Sequence, residues 1–154
     1  MNNLKSTFQN RTTCIAIIGL GYVGLPLAVE FSKKYYTIGF DINKNRIDQL
    51  NNNNDITLEV SIDKLKAARI TYSIELKDIA DCNVFIITVP TPVDNYNNPE
   101  MSALSFASQN VGKVLKKCDV VIYESTVYPG ATEEYCAPIL EKISGFTYNQ
   151  DFFC

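Results

Sequence analysis

The glycine run Gly19-Leu20-Gly21-Tyr22-Val23-Gly24 constrains this chain more than any other feature. It follows directly on Cys14-Ile15-Ala16-Ile17-Ile18, an apolar, β-branched run, and precedes a stretch of helical spacing. A strand that turns through three glycines into a helix opens a βαβ unit whose turn can cradle phosphate. In that reading Gly19 allows the tight turn, Gly21 admits a pyrophosphate to the backbone, and Gly24 lets the helix pack closely on the sheet. The free N–H groups and the positive dipole end at the helix start then face the anion. An ordinary tight turn between strand and helix is the alternative reading of the same residues.

The rest of the pattern repeats the unit. Strands are expected at Cys14 to Ile18, Tyr36 to Phe40, Val84 to Val89 and Val120 to Tyr123, with weaker ones at Arg69 to Ser73 and Thr147 to Phe152. The strong runs are continuously apolar rather than alternating, as parallel strands covered on both faces are. Helices are expected at Tyr22 to Lys34, Asn43 to Leu50, Ser102 to Lys117 and Ala131 to Ser144. Asn43 is an N-cap type of residue, and Gly145 suits a helix C-terminus. Pro138 predicts a kink or break in the last helix. The alternation gives an α/β chain: a Rossmann-type, doubly wound, mainly parallel sheet in a single domain spanning 13–154, behind a polar tail at 1–12. Two Asn-rich stretches, Asn51 to Asn54 and Asn95 to Asn98, read as polar loops.

Composition removes several chemistries. Among the 154 residues there is no His, which excludes Ser-His and Cys-His nucleophile pairs and His-ligated zinc. The five cysteines, at 14, 82, 118, 136 and 154, form no CxxC pair. They read as reduced, mostly buried thiols of a cytoplasmic protein, with no metal site. A formal net charge of -3 gives no electrostatic footprint for nucleic acid. No apolar run reaches the roughly 20 residues that span a membrane.

Three further positions carry candidate chemistry. Asp41 ends the second strand 22 residues after Gly19, close to the roughly 20 at which an acid binds the adenosine ribose hydroxyls of a dinucleotide. Its charge opposes a 2′-phosphate and favours NAD, while Lys44 and Arg46 nearby oppose that preference. Val89-Pro90-Thr91-Pro92 makes a stiff rim at the carboxyl edge of the sheet, where a coenzyme or merely a rigid loop would lie. Glu124-Ser125-Thr126-Val127-Tyr128-Pro129-Gly130 follows the last strong strand. A hydroxyl of Ser125 or Thr126 there suits a coenzyme, a reacting water or a helix cap.

Taken together, Gly19-Leu-Gly-Tyr-Val-Gly-Leu-Pro26, Gly39-Phe-Asp-Ile-Asn43, Val89-Pro-Thr-Pro-Val-Asp94 and Glu124-Ser-Thr-Val-Tyr-Pro-Gly130 resemble the UDP-glucose/GDP-mannose dehydrogenase family. The last two are closer in form to the branch that acts on UDP-N-acetylhexosamines than to the UDP-glucose branch. The resemblance implies an NAD-dependent oxidation of a sugar C6 alcohol to a carboxylate, for capsule, O-antigen or related polysaccharides, by a homodimeric parent enzyme. By the same resemblance Gly19, Gly21, Tyr22, Val23 and Gly24 bind the pyrophosphate region, and Asp41 and Arg46 hold the adenosine ribose. Val89, Pro90, Thr91, Ser125 and Thr126 line the coenzyme, with Thr126 nearest the chemistry.

The family's nucleophilic Cys, its catalytic Lys and the UDP-binding domain lie in later segments than those matched here. Tyr148-Asn-Gln-Asp-Phe-Phe153 resembles the stretch just before a Ser-Pro-Glu motif of the family, so Cys154 does not fall at the nucleophile's position. The expectation is therefore an NAD-binding domain that binds coenzyme without turnover on its own. A non-catalytic dinucleotide-binding module or gene remnant is the alternative. A 6-phosphogluconate or 3-hydroxyacyl-CoA type of dehydrogenase is a third reading, opposed by the last two motifs.

Overall fold

A computed structural model of the chain describes residues 13–93 and 99–154. The expected polar tail at 1–12, Asp94 and the whole Asn95 to Asn98 stretch lie outside the described residues.

Five strands form one sheet: β1 (Cys14–Ile18), β2 (Tyr36–Phe40), β3 (Ile70–Ser73), β4 (Val84–Ile87) and β5 (Val120–Tyr123). Every pairing is parallel and the spatial order is β3-β2-β1-β4-β5. The helices are α1 (Gly24–Ser32), α2 (Lys44–Asn51), α3 (Ile62–Ala67), α4 (Leu76–Ile79), α5 (Ser102–Val114) and α6 (Ala137–Ser144). The chain runs outward from β1 through β2 to β3, then crosses back to β4 on the other side of β1. The order therefore reverses between β1 and β4, and a crevice opens above that switch point.

The strands are continuously apolar because both faces are covered. On one face Ala16, Ile18, Phe85, Ile87 and Val121 pack under α5 and α6 with Leu104, Val111 and Leu140. On the other, Ile15, Ile17 and Ile86 pack under α1 and α2 with Leu25, Ala28, Val29, Ile47 and Leu50. Alternate residues of β1 thus point into opposite cores, as the two-residue period of a strand requires.

Several expected boundaries shift, each for a local reason. The first helix starts at Gly24 and ends at Ser32, inside the expected 22–34. Strand β4 ends at Ile87 rather than Val89, because Thr88 turns its hydroxyl onto the carbonyls of Ile18 and Gly19, at 3.1 and 2.7 Å. Helix α5 ends at Val114 rather than Lys117. Leu115 is extended there, and Lys116 donates instead to the carbonyls of Ala80 and Cys82.

Pro138 does not kink a continuous helix. A π-helical turn over Thr132–Cys136 leads into α6, and Pro138 falls in the first turn of α6, where its missing N–H costs little. The 147–152 stretch is a turn rather than a strand, with Asn149 at φ 60°. Only Phe153 reaches the sheet, as a parallel bridge to Val120 beside β5.

The run Asn51 to Asn54 is more than a loop: it terminates α2. Asn53 adopts φ 55°, its N–H bonds the Leu50 carbonyl, and the Asn54 N–H bonds the Gln49 carbonyl, both at 2.9 Å. This is a Schellman cap with Asn in the left-handed position. At the other end of α2, the Asn43 side chain accepts from the N–H groups of Asn45 and Arg46, as an N-cap should. Gly145, at φ 73°, closes α6.

Candidate functional site

Each strand tip hands its hydrogen-bonding ladder one step further along the sheet. The Gly19 N–H bonds the Phe40 carbonyl, Asp41 bonds Ser73, Thr88 bonds Ile18 and Glu124 bonds Ile87, at 2.8–3.1 Å. The residues following β1, β2, β4 and β5 are thereby brought to one edge. There they surround a cleft of about 610 Å³, the size range of small-molecule and cofactor sites.

The glycine turn forms the floor of the cleft. Gly19 has φ 96°, a conformation that L side chains rarely adopt. A Cβ added at Gly24 would lie 1.9 Å from the Gly19 carbonyl oxygen and 2.4 Å from Thr88 Oγ1. That helix start is pressed against the turn with no room for a methyl group. At Gly21 a Cβ would meet nothing within 4 Å, so the backbone there borders open space in the cleft. No side chain caps α1. The Leu25 N–H turns back onto the Gly21 carbonyl at 3.1 Å and the Leu27 N–H onto the Val23 carbonyl at 3.3 Å, and Pro26 has no N–H. An anion in the cleft would therefore meet the N–H groups of the turn that leads into Gly24 and the positive end of the helix dipole. A flush glycine at the helix start beside an open one in the turn is the geometry a dinucleotide pyrophosphate needs.

Asp41 closes one end. Its Oδ2 accepts the Leu20 N–H at 2.8 Å and its Oδ1 the Asn43 N–H at 2.9 Å. Beside it Ile42 also lines the cleft and is 67% exposed, a free apolar surface suited to a flat ring. The loops after β4 and β5 form the opposite wall and are tied together. Ser125 Oγ donates to the Val89 carbonyl at 2.6 Å, and Thr91 Oγ1 donates to the Thr126 carbonyl.

The cleft brings together Gly19, Gly21, Tyr22, Val23, Asp41, Val89, Pro90, Thr91, Ser125 and Thr126. Two candidates do not line it. Gly24 lies behind the turn as a packing residue. Arg46 is buried, with Nε donating to the Leu20 carbonyl at 2.8 Å and Nη2 paired with Asp55 Oδ1 at 2.8 Å. Asp55 in turn accepts from Thr57, Glu59 and Val60. Burial opposes its charge, but the Thr57 hydroxyl, the Val60 N–H and Arg46 outweigh that and hold its pKa at about 2.

Sequence reasoning missed the contribution of α5. Ala103, Phe106, Ala107 and Asn110 line the cleft at helical spacing, on a face adjoining the core stripe of Leu104 and Val111. The signal was present in the mixed Phe and Asn of that face. It also missed Thr88, whose hydroxyl locks the glycine turn.

All five cysteines are free thiols, and none lines the cleft. Cys14, Cys82 and Cys136 are buried. Burial pushes the Cys154 thiol up to about 12. No helix among the described residues is long and apolar enough to cross a membrane.

Comparison with known proteins agrees with this geometry. A family model described as "UDP-glucose/GDP-mannose dehydrogenase family, NAD binding domain" matches residues 13–153. A UDP-N-acetyl-D-glucosamine 6-dehydrogenase of Pseudomonas aeruginosa is 58% identical over 140 residues, covering 90% of this chain and 33% of its own length. Protein CapL of Staphylococcus aureus is 53% identical over 139 residues, with 90% and 33% covered. Among solved structures, a UDP-D-ManNAc dehydrogenase from Pyrococcus horikoshii superposes with a TM-score of 0.82 at 34% identity, over 91% of this chain and 34% of that one. The chain thus spans about one third of the length of the curated relatives it matches.

Proposed function

The chain belongs to the UDP-glucose/GDP-mannose dehydrogenase family as an NAD-binding domain, and from this we propose that it serves a UDP-N-acetylhexosamine 6-dehydrogenase. The parent reaction is oxidation of the sugar C6 alcohol to a carboxylate in the cytoplasm, feeding a surface polysaccharide. One observation carries the reading. The glycine turn, Asp41 and the loops after β4 and β5 converge on a single cleft at the switch point of the sheet. The choice of sugar is supported by the 58% identity to a UDP-N-acetyl-D-glucosamine 6-dehydrogenase.

In this reading the residues divide the coenzyme between them. The N–H groups of the turn that leads into α1, the positive end of its dipole and the bare backbone of Gly21 hold the pyrophosphate. The Asp41 carboxylate accepts hydrogen bonds from the adenosine ribose hydroxyls, and Ile42 covers the adenine. Thr91, Thr126 and the α5 face bearing Phe106 and Asn110 surround the nicotinamide end. When bound, NAD supplies the hydride acceptor. Thr126 is exposed at the mouth of the cleft and lies nearest the reacting sugar. Ser125 acts by tying the β5 loop to Val89 rather than by touching substrate.

The chain alone binds NAD without turnover, because its cleft holds no thiol to carry a covalent intermediate. NADH formation by the parent polypeptide with UDP-N-acetylglucosamine, UDP-N-acetylmannosamine and UDP-glucose tests the substrate assignment. A preference for an N-acetylhexosamine is expected, and a preference for UDP-glucose would overturn it. UDP-sugar-dependent NADH formation by residues 1–154 alone would overturn the absence of turnover.

A further inference from the structure

Two thiols meet at the edge of the sheet opposite the cleft. Cys14 and Cys82 are 68 positions apart in the chain, and their sulfurs are 2.8 Å apart. Cys14 opens β1, and Cys82 stands two residues before β4. These strands pair in parallel, with Ile15 opposite Val84. Asn83 clamps the junction. Its side-chain oxygen accepts the Cys14 N–H, and its own N–H bonds the Cys14 carbonyl, both at 3.1 Å. Both thiols enter the same core, with Ile79, Val111 and Leu115. The sheet itself therefore holds the two sulfurs side by side.

The pair is asymmetric. The contact with the Cys82 thiol lowers the Cys14 pKa from its ordinary value, against the opposing effects of burial and Asp81. Lys116 adds to the lowering. Its ammonium is anchored beside the pair, donating to the carbonyls of Ala80 and Cys82. Cys82 is pushed up, first by the same contact and then by burial. Cys14 is thus the thiol that ionises, and Cys82 the one that keeps its proton. Access follows the same order: Cys14 keeps 9% of its surface exposed, whereas Cys82 keeps none. Only a thiolate attacks an oxidant appreciably.

We propose that Cys14 and Cys82 form a reversible oxidative modification site, at which peroxide converts the two thiols into a disulfide that staples β1 to the entry of β4. The Cys14 thiolate attacks hydrogen peroxide: an S–O bond forms, the O–O bond breaks, and hydroxide leaves. The sulfur of Cys82 then attacks the Cys14 sulfenic acid. An S–S bond forms, the S–O bond breaks, and the proton of Cys82 goes to the departing oxygen. Two thiols and one peroxide give one disulfide and two waters; the thiols lose two electrons and the peroxide gains them. The cross-link closes a long segment of chain and so restricts the unfolded state. The proposal is independent of what the cleft binds.

Peptide mapping of the chain by mass spectrometry tests this, after hydrogen peroxide is raised until the half-exposed Cys118 is oxidised and the remaining thiols are alkylated in denaturant. The peptides of Cys14 and Cys82 are expected to be joined to each other, and dithiothreitol to release them. Recovery of both as alkylated thiols, or of Cys14 joined to another cysteine, overturns the proposal. In Cys82→Ser, dimedone is expected to trap a sulfenic acid on Cys14, whereas in Cys14→Ser Cys82 stays unlabelled. The reverse pattern would overturn the assignment of Cys14 as the attacking thiol. The linked chain is expected to melt roughly 5–15 °C above the reduced chain, a gain absent in Cys82→Ser. An unchanged or lower melting temperature in the linked chain would overturn the staple. The mapping of the unaltered chain stands whether or not either variant folds.

Discussion

Asp41 and Arg46 grip opposite ends of the same residue: the carboxylate accepts the Leu20 N–H and the guanidinium donates to the Leu20 carbonyl, each at 2.8 Å. The glycine turn is therefore oriented by side chains of the chain itself, and one of the two residues that orient it also lines the cleft. Asp41→Ala removes both functions. Hydrogen bonds to a charged group contribute about 1.5–3 kcal/mol each, so NAD binding is expected to weaken by at least tenfold, measured by calorimetry. The same substitution is expected to narrow the gap between NAD and NADP.

Gly21 and Gly24 separate binding from packing. A methyl at Gly24 would sit 1.9 Å from the Gly19 carbonyl oxygen, so Gly24→Ala must force the helix off the turn, at about 1–3 kcal/mol or more. At Gly21 the same methyl has open space and costs little stability, but it occupies the approach of the pyrophosphate. Denaturant unfolding is expected to show a lower midpoint for Gly24→Ala only. Calorimetry is expected to show lost NAD affinity for Gly21→Ala with its stability intact.

Asp55 gives the fold an acid-sensitive element. Its folded-state pKa is about 2, against an ordinary 3.8 for an aspartate. A carboxylate depressed in the folded state contributes stability that is fully present above about pH 4 and is lost as pH falls toward 2. A shift of that size corresponds to about 2 kcal/mol. Unfolding midpoints measured between pH 5 and 2 are expected to fall with pH in the unaltered chain and to fall less steeply in Asp55→Asn. Equal slopes would show that the buried pair is not the source.

The thiols are expected to differ in reactivity. Cys118 is half-exposed, whereas Cys14, Cys82 and Cys136 are buried, and burial pushes Cys154 up to about 12. Only the thiolate reacts appreciably. In the folded chain at neutral pH, mass spectrometry after iodoacetamide is expected to find Cys118 modified first. Cys154 and the three buried thiols are expected to follow only in denaturant.

Much of this was legible because each level of the sequence agreed with the next. The unbroken β-branched runs reported strands buried on both faces, and alternate residues such as Ile15 and Ala16 do enter opposite cores. The glycine turn and Asp41 were legible because chain geometry fixes their spacing across a βαβ unit. Side-chain capture across the chain was not. Nothing in the spacing of Asp41 and Arg46 says that Asp55 will pair with the guanidinium. Nor does a Ser in Glu124-Ser125-Thr126 show that its hydroxyl will bond the Val89 carbonyl. The stretch 147–152, expected as a weak strand, is turned because Asn149 takes a left-handed conformation.

The central claim is that the glycine-turn cleft binds NAD, and titration of the chain with NAD, unaltered and as Gly21→Val, tests it most directly. Saturable one-to-one binding that the valine abolishes while the melting temperature holds is the expected result. No binding by the unaltered chain, or binding indifferent to the valine, would contradict it.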